Sequence, residues 1–153
     1  MIALLRLMLA AALAFAVHAR AEDAPTPLDW QAIKDVVGQQ LAALRKGDGP
    51  RAFAFASPAL QTQFDNPENF MRMVHAGYQP LIDARYDELL EGAVIDGRVI
   101  QPLRLVLRDD RVLVALYTMQ KDDAGRWRIA GCMLAPSTIR TASVPPAAFR
   151  APG

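Results

Sequence analysis

The sequence predicts an α+β domain, with N-terminal helices packed on a curved antiparallel sheet of three to four strands. Three observations carry this. Trp30, Ile33, Val37, Leu41 and Leu44 recur at spacings of three and four, the apolar stripe of an amphipathic helix. Short segments opened by proline follow at Pro50, Ser57-Pro58 and Asn66-Pro67, where a capping residue precedes a first-turn proline. Beyond Pro80, apolar and β-branched runs alternate with turn pairs such as Asp96-Gly97, as in a meander of strands. Helices first and antiparallel strands afterwards place the helices on one sheet face.

Ahead of that domain stands a different kind of segment. Met1 to Arg6 carries one positive charge, Leu7 to Val17 is an unbroken apolar run, and Ala19-Arg20-Ala21 is a small-x-small site. This order predicts a secretory signal peptide, residues 1–21, cleaved after Ala21. The run is about half the ~20 residues of a membrane span, so no stable anchor is expected after cleavage. No cysteine follows it and no paired arginines precede it, which argues against lipidation and the twin-arginine route. The expected location is periplasmic or secreted.

Removing the leader takes away Arg6, His18 and Arg20. The chain then has 15 basic and 16 acidic residues, a net charge of −1 instead of +1. That balance leaves no footprint for nucleic acid. One histidine, His75, and one cysteine, Cys132, remain, too few for a zinc site and too few for an intramolecular disulfide. No phosphate-cradling glycine loop and no GxSxG motif is present, so neither a metal nor an organic cofactor is expected.

Residues 22–28 read as a polar lead-in and 29–135 as a single domain. Asp29 is expected to cap the first helix and Gly47 to end it in the left-handed region, after Arg45 and Lys46. In RAFAFAS, alternation would give a strand with Phe53 and Phe55 on one face, but the alanines and Pro50 favour a helix. The next helices carry Gln61 and Phe64, then Phe70, Met73 and Val74, with Gly77 as a stop. Strands are expected from Ala84 to Val94, Arg98 to Arg108, Val112 to Gln120 and Arg126 to Leu134, with Pro102 marking an edge or a bulge. The third strand is apolar on both faces, so one face meets the helices and the other is left for something else, a second subunit being one candidate. Residues 136–153, rich in Pro, Ala, Ser and Thr, read as a mobile tail.

Two blocks of residues carry a family likeness. The first is Ile33, Val37, Gln40, Ala43 and Gly47-Asp48, then Ala52 to Pro58, Phe64, Phe70, Met73-Val74 and Gly77-Tyr78 with Pro80. The second is Tyr117-Thr118-Met119 and Gly125 to Leu134. Together they resemble bacterial domain-of-unknown-function family 4864 from about Ile33 to Leu134. The resemblance implies a cone-shaped fold similar to nuclear transport factor 2 and ketosteroid isomerase, with helices closing over a bent sheet to form a pocket. It implies no activity, and such a shape hosts enzymes and binding modules alike.

Each candidate side chain has a chemical and a plain reading. His75 is the one mature side chain that ordinarily titrates near neutrality, yet its place near a helix end suits the helix dipole. Asp83 or Glu88 is a candidate base, with Tyr78, Tyr86 or Tyr117 as acid donor, the arrangement of ketosteroid isomerase. Cys132 is either an odd thiol that pairs two chains or a buried one among Ile129, Ala130, Met133 and Leu134, and the apolar neighbours favour burial. Strand alternation puts Trp127 on one face with Ile129, Gly131 and Met133, and Cys132 on the other. Phe53, Tyr78, Tyr86, Tyr117, Trp127 and Cys132 are the candidate pocket residues. Asp109-Asp110 and Asp122-Asp123 read as turn residues, and Arg104, Arg108 and Arg111 as a solvated hairpin face. The expected function is an exported, non-catalytic pocket for a small, partly apolar ligand. An acid/base lyase- or isomerase-like enzyme and an envelope module that dimerises through its sheet are the alternatives.

Overall fold

The structure, a computed structural model, describes residues 24–137; the expected leader and all of the tail beyond Ser137 lie outside the described residues. Helix α1 (Pro27–Arg45) starts two residues before its expected cap. Pro27, with its φ preset and no N–H to satisfy, makes Thr26 the N-cap and Asp29 the third helical residue. Thr26 Oγ1 accepts from the Asp29 N–H at 3.2 Å, and the Asp29 carboxylate accepts from the Thr26 N–H at 3.0 Å. That reciprocal pair is a capping box. Gly47, at φ 69°, ends the helix as expected.

Asp48, Ser57 and Asn66 cap α2 (Gly49–Ala54), α3 (Pro58–Phe64) and α4 (Pro67–Gly77), each accepting from a backbone N–H three residues on. RAFAFAS is therefore helical at its start. A fifth helix, α5 (Gln79–Asp83), was not anticipated and lies between the expected Gly77 stop and the strand segment expected from Ala84. One turn of chain carries no readable period, and Pro80 in its first turn starts a helix as readily as it ends one.

The sheet has five strands: β1 (Tyr86–Leu89), β2 (Ala93–Ile95), β3 (Arg98–Val106), β4 (Val112–Lys121) and β5 (Trp127–Pro136). The extra strand arises because the segment expected from Ala84 to Val94 is two strands, which lie end to end along one edge of β3. Pro102 is at the break. Its carbonyl accepts from the Leu90 N–H at 3.0 Å, but it has no N–H to return to the Leu90 carbonyl. The Gln101 side-chain amide donates to that carbonyl instead, at 2.8 Å. Gly92 occupies the same break because a β-carbon there would lie 2.1 Å from the Trp30 ring. Asp96 and Gly97, both at positive φ, make the expected tight turn into β3.

The helices cover one face of this sheet. Ile33 and Val37 are fully buried and Leu41 and Leu44 nearly so, packed with Leu103, Leu105, Ala115 and Met119. Each such side chain contributes about 1.5–3 kcal/mol on burial. The opposite face carries Leu116 and Val114, with Tyr86, Val94, Ile95 and Met133 exposed around the sheet, and no described element lies over it. Arg104, on this face, pairs with Glu88, while Arg111 pairs with Asp109 at 2.6 Å. The three arginines expected as one hairpin face thus divide between the sheet and a turn.

Asp29 also ties α1 to the far hairpin. Its Oδ1 accepts from the Trp127 indole N–H at 2.8 Å and lies 2.9 Å from Lys121 Nζ, which in turn sits 5.0 Å over the Trp127 ring. These partners, Lys121 foremost, hold the Asp29 carboxyl well below the usual carboxylate range. Asp122, in the β4–β5 turn, is lowered to about 2, first by the Arg126 N–H. A carboxylate with a depressed folded-state pKa contributes stability that is present above its unfolded value, near 4, and lost as pH falls through the folded one. The urea midpoint is therefore expected to hold between pH 7 and 5 and to drop steadily below pH 4. In Asp29→Asn the drop is expected to be shallower, and an identical pH profile would contradict the role given to Asp29.

Candidate functional site

A cavity of about 380 Å³ lies between the helical layer and the β4–β5 half of the sheet. Its floor is Tyr117 from β4 with Ile129, Gly131 and Cys132 from β5. Gln40 and Leu44 of α1 and Leu81 of α5 form the inner wall. Leu60, Gln63 and Phe64 of α3, with Phe70, Met73 and Val74 of α4, close it from the helix side, and Tyr78 stands between α4 and α5. Phe70 is fixed between Phe53, at 5.4 Å, and Phe64, at 5.8 Å edge-on.

The helical layer is hung on the outer edge of β5. The Ile129 N–H donates to the Phe55 carbonyl at 2.9 Å, and the Ser57 N–H donates to the Ile129 carbonyl at 2.8 Å. Arg128 Nη1 donates to the Ala54 carbonyl at 2.8 Å, and the Tyr78 hydroxyl to the Cys132 carbonyl at 2.7 Å. The first three fix the linker between α2 and α3, and the last fixes the end of α4. Gln61 donates to both the Phe53 and Ala56 carbonyls, at 3.2 Å each, and holds α3 to that linker.

A β-bulge decides which side chains reach the floor. Met119 pairs with Ile129 and Thr118 with Gly131, so Ala130 has no partner on β4. Uniform alternation placed Cys132 opposite Trp127 and Ile129, and that assignment is corrected here. Beyond the extra residue the parity inverts: Cys132 shares the inner face with its cross-strand partner Tyr117, whereas Met133 points outward and is 59 % exposed. Nothing in the local sequence marks Ala130 as a bulge.

Among the pocket candidates, Tyr78, Tyr117 and Cys132 come together at the cavity. Phe53 stands one layer behind it. Trp127 is engaged with Asp29 at the other end of the hairpin, and Tyr86 is half exposed on β1. Of the acid–base candidates, His75 and Asp83 lie on the exposed side of α4 and α5. They are linked through Gln79, whose Oε1 is 3.1 Å from His75 Nδ1 and whose Nε2 donates to Asp83 at 3.0 Å. Glu88 is paired with Arg104. Gln40, 4 % exposed, was named from the sequence only within the family likeness and not as a pocket residue, although it sits on the α1 stripe three residues after Val37. Its amide donates to the Ala52 carbonyl at 3.2 Å. Met73 and Gln63 were missed because helix signals do not tell which strand a helix covers.

The polar groups of the cavity are neutral. Burial, and after it the neighbouring Cys132, raises the Tyr117 hydroxyl well above its ordinary pKa, and the same causes raise Tyr78. Burial pushes the Cys132 thiol up to about 12. No charged side chain is in the cavity wall, and no group of three His, Cys, Asp or Glu placed to hold a metal ion exists among the described residues. No described helix is long and apolar enough to cross a membrane.

A family model described as a domain of unknown function (DUF4864) matches residues 27–142. The chain belongs to this family. No curated protein and no solved structure matches the chain. The DUF4864 match begins at the first residue of α1 and takes in every helix and strand described above.

The state of Cys132 has a direct consequence. With a thiol near pKa 12 instead of about 8.5, and nucleophilicity partly offsetting the lost thiolate, Ellman's reagent at pH 8 is expected to react about a hundredfold more slowly with the native protein than with the urea-unfolded chain. Equal rates would mean that the thiol is open to solvent.

Proposed function

We propose that this DUF4864 protein is an exported, non-catalytic domain that holds a small, largely apolar ligand between its helices and its sheet. The observation that carries this reading is the 380 Å³ cavity with an apolar wall and no charged side chain in it. Its size is at the lower end of the range of about 300–1,000 Å³ over which small-molecule sites fall. A catalytic reading draws no comparable support, because His75, Asp83 and Glu88 stand outside the cavity, where none touches a ligand held in it. Export is supported by the charged start, apolar run and small-x-small site of residues 1–21.

Both halves are testable. Expressed in a Gram-negative host, the full chain is expected in the periplasmic fraction with an intact mass that begins at Glu22; a cytoplasmic product that retains Met1 would end the export reading. The neutral dye N-phenylnaphthylamine is expected to brighten on binding the protein. Leu60→Trp fills the cavity from α3 and is expected to weaken the dye by about tenfold without lowering the melting temperature. Dye binding that ignores Leu60→Trp, or no binding at all, would remove the pocket reading.

A further inference from the structure

We infer that a second copy of this chain covers the outer face of the sheet about a two-fold axis, with Met133 of each copy seated at the partner's Gly131. It goes beyond the pocket reading and does not depend on it. The helices take the face that carries Leu103, Ala115 and Tyr117, and strand alternation sends Ile100, Val114, Leu116 and Met133 to the other. No described element lies over these side chains, and Tyr86, Ile95 and Met133 are each more than half exposed. Four strands side by side at about 4.8 Å, with the ten residues of β4 at about 3.3 Å each, project an area of roughly 600 Å². The accessible surface of such a ridged face is larger, close to the ~800 Å² that one partner contributes to a standard interface.

The face is self-complementary, as a two-fold interface requires, since residue i must meet j while j meets i. Met133 projects from β5, and two residues earlier on the same face Gly131 leaves a hollow, where a β-carbon would have no neighbour within 4 Å. A projection beside a hollow lets each copy seat the other. Ile95, Ile100 and Leu116 line the open groove of about 610 Å³ around that hollow. Charge is balanced in the same way. Glu88 and Arg104 neutralise each other, and in the groove Asp96 and Arg98 add one acid and one base with no partner among the described residues.

Other covers fit the face less well. A lipid surface is met by clustered Lys and Arg. Of Arg98, Arg104, Lys121 and Arg128, the bases on the strands, only Arg98 lacks an acidic partner among the described residues. Residues 138–153 offer three large apolar side chains, Ile139, Val144 and Phe149, for a face of four strands. A second sheet of the same twist matches the whole face, packed about 10 Å away. The edges set the number of copies. The β5 edge is bonded to the α2–α3 linker, and the other edge consists of short strands broken at Pro102. Neither offers a ladder to a third chain, so the assembly closes at two.

Sedimentation equilibrium of the protein recovered after expression of the full chain reads this out. Wild type is expected to be a dimer at micromolar concentration, with a melting temperature that rises with protein concentration. Met133→Glu puts an uncompensated carboxylate into the interface twice and is expected to weaken the dimer at least a hundredfold. Gly131→Val fills the hollow twice and is expected to weaken it at least tenfold. Met133 is exposed in the single chain and a β-carbon at Gly131 meets nothing, so both variants are expected to keep a cooperative melt. A wild type that stays monomeric at its highest soluble concentration overturns the inference. Co-sedimentation of that monomer with phosphatidylglycerol vesicles would assign the face to lipid, and its absence would leave residues 138–153 or another protein as the cover. A dimer indifferent to Met133→Glu overturns the inference equally, and one indifferent only to Gly131→Val overturns the seat at Gly131.

Discussion

The outer edge of β5 is the constraint from which the rest of the architecture follows. An edge strand exposes N–H and C=O groups that have to be bonded or shielded, and an unprotected edge pairs with other chains. Here the edge is covered by the protein's own helical layer. Ile129 bonds to the α2–α3 linker through both its N–H and its carbonyl, Arg128 reaches the Ala54 carbonyl, and the Cys132 carbonyl takes the Tyr78 hydroxyl. These contacts fix where α3 begins and where α4 ends. Two helices pinned at those points span the sheet without filling the space beneath them, and that space is the cavity. The bulge at Ala130 serves the same end, since it turns Cys132 inward beside Tyr117 while leaving Ile129 in the buried row.

The other edge of the sheet is handled by substitution of one donor for another. Pro102 cannot complete the pairing of β3 with the chain at Leu90, and Gln101 supplies the missing donor from its side chain. The cost is that the carbonyl half of the Gln101 amide is left buried and unpaired. Strands β1 and β2 are separated at that point, and Trp30 of α1 packs against Gly92 in the gap. The start of α1 is then held from the opposite side by Asp29, which serves the capping box, the Trp127 indole and Lys121 at once. Helix α1 is thereby clamped at its N-terminus between a break in one edge and the hairpin that feeds the other. Arg45 does the same at its C-terminus, bonding the Leu81 carbonyl at 3.2 Å and Asp87 at 2.7 Å.

What the sequence revealed and what it hid divide along physical lines. Features governed by a few adjacent residues were legible: the α1 stripe, the Gly47 stop, the caps at Ser57 and Asn66, and the Asp96-Gly97 turn. Features governed by pairing between distant segments were not. The bulge at Ala130 exists because β5 bonds to β4 on one side and to the α2–α3 linker on the other, and neither partner is near it in sequence. Uniform alternation therefore misassigned Cys132. The single turn of α5 was too short to show a period. Tyr117 could be named as a candidate because tyrosine chemistry is recognisable anywhere, but its 1 % exposure and unpaired hydroxyl are properties of the packed layers.

Polarity is distributed in this domain with a clear asymmetry. Among the described residues the seven ion pairs lie in turns, on the outer sheet face or where elements are tied together, and none lies in the cavity wall. Inside, Tyr78 and Gln40 spend donors on backbone carbonyls and so fix the walls, while Tyr117 spends none. A sequence selected for packing alone has no use for that oxygen: phenylalanine fills the same space without leaving a buried hydroxyl unpaired. Local rules are most often broken in this way at sites that do something other than fold. The buried hydroxyl that breaks the rule belongs to Tyr117, which lines the cavity from the strand paired with β5, so the requirements of the edge and the composition of the site meet on the same strand pair.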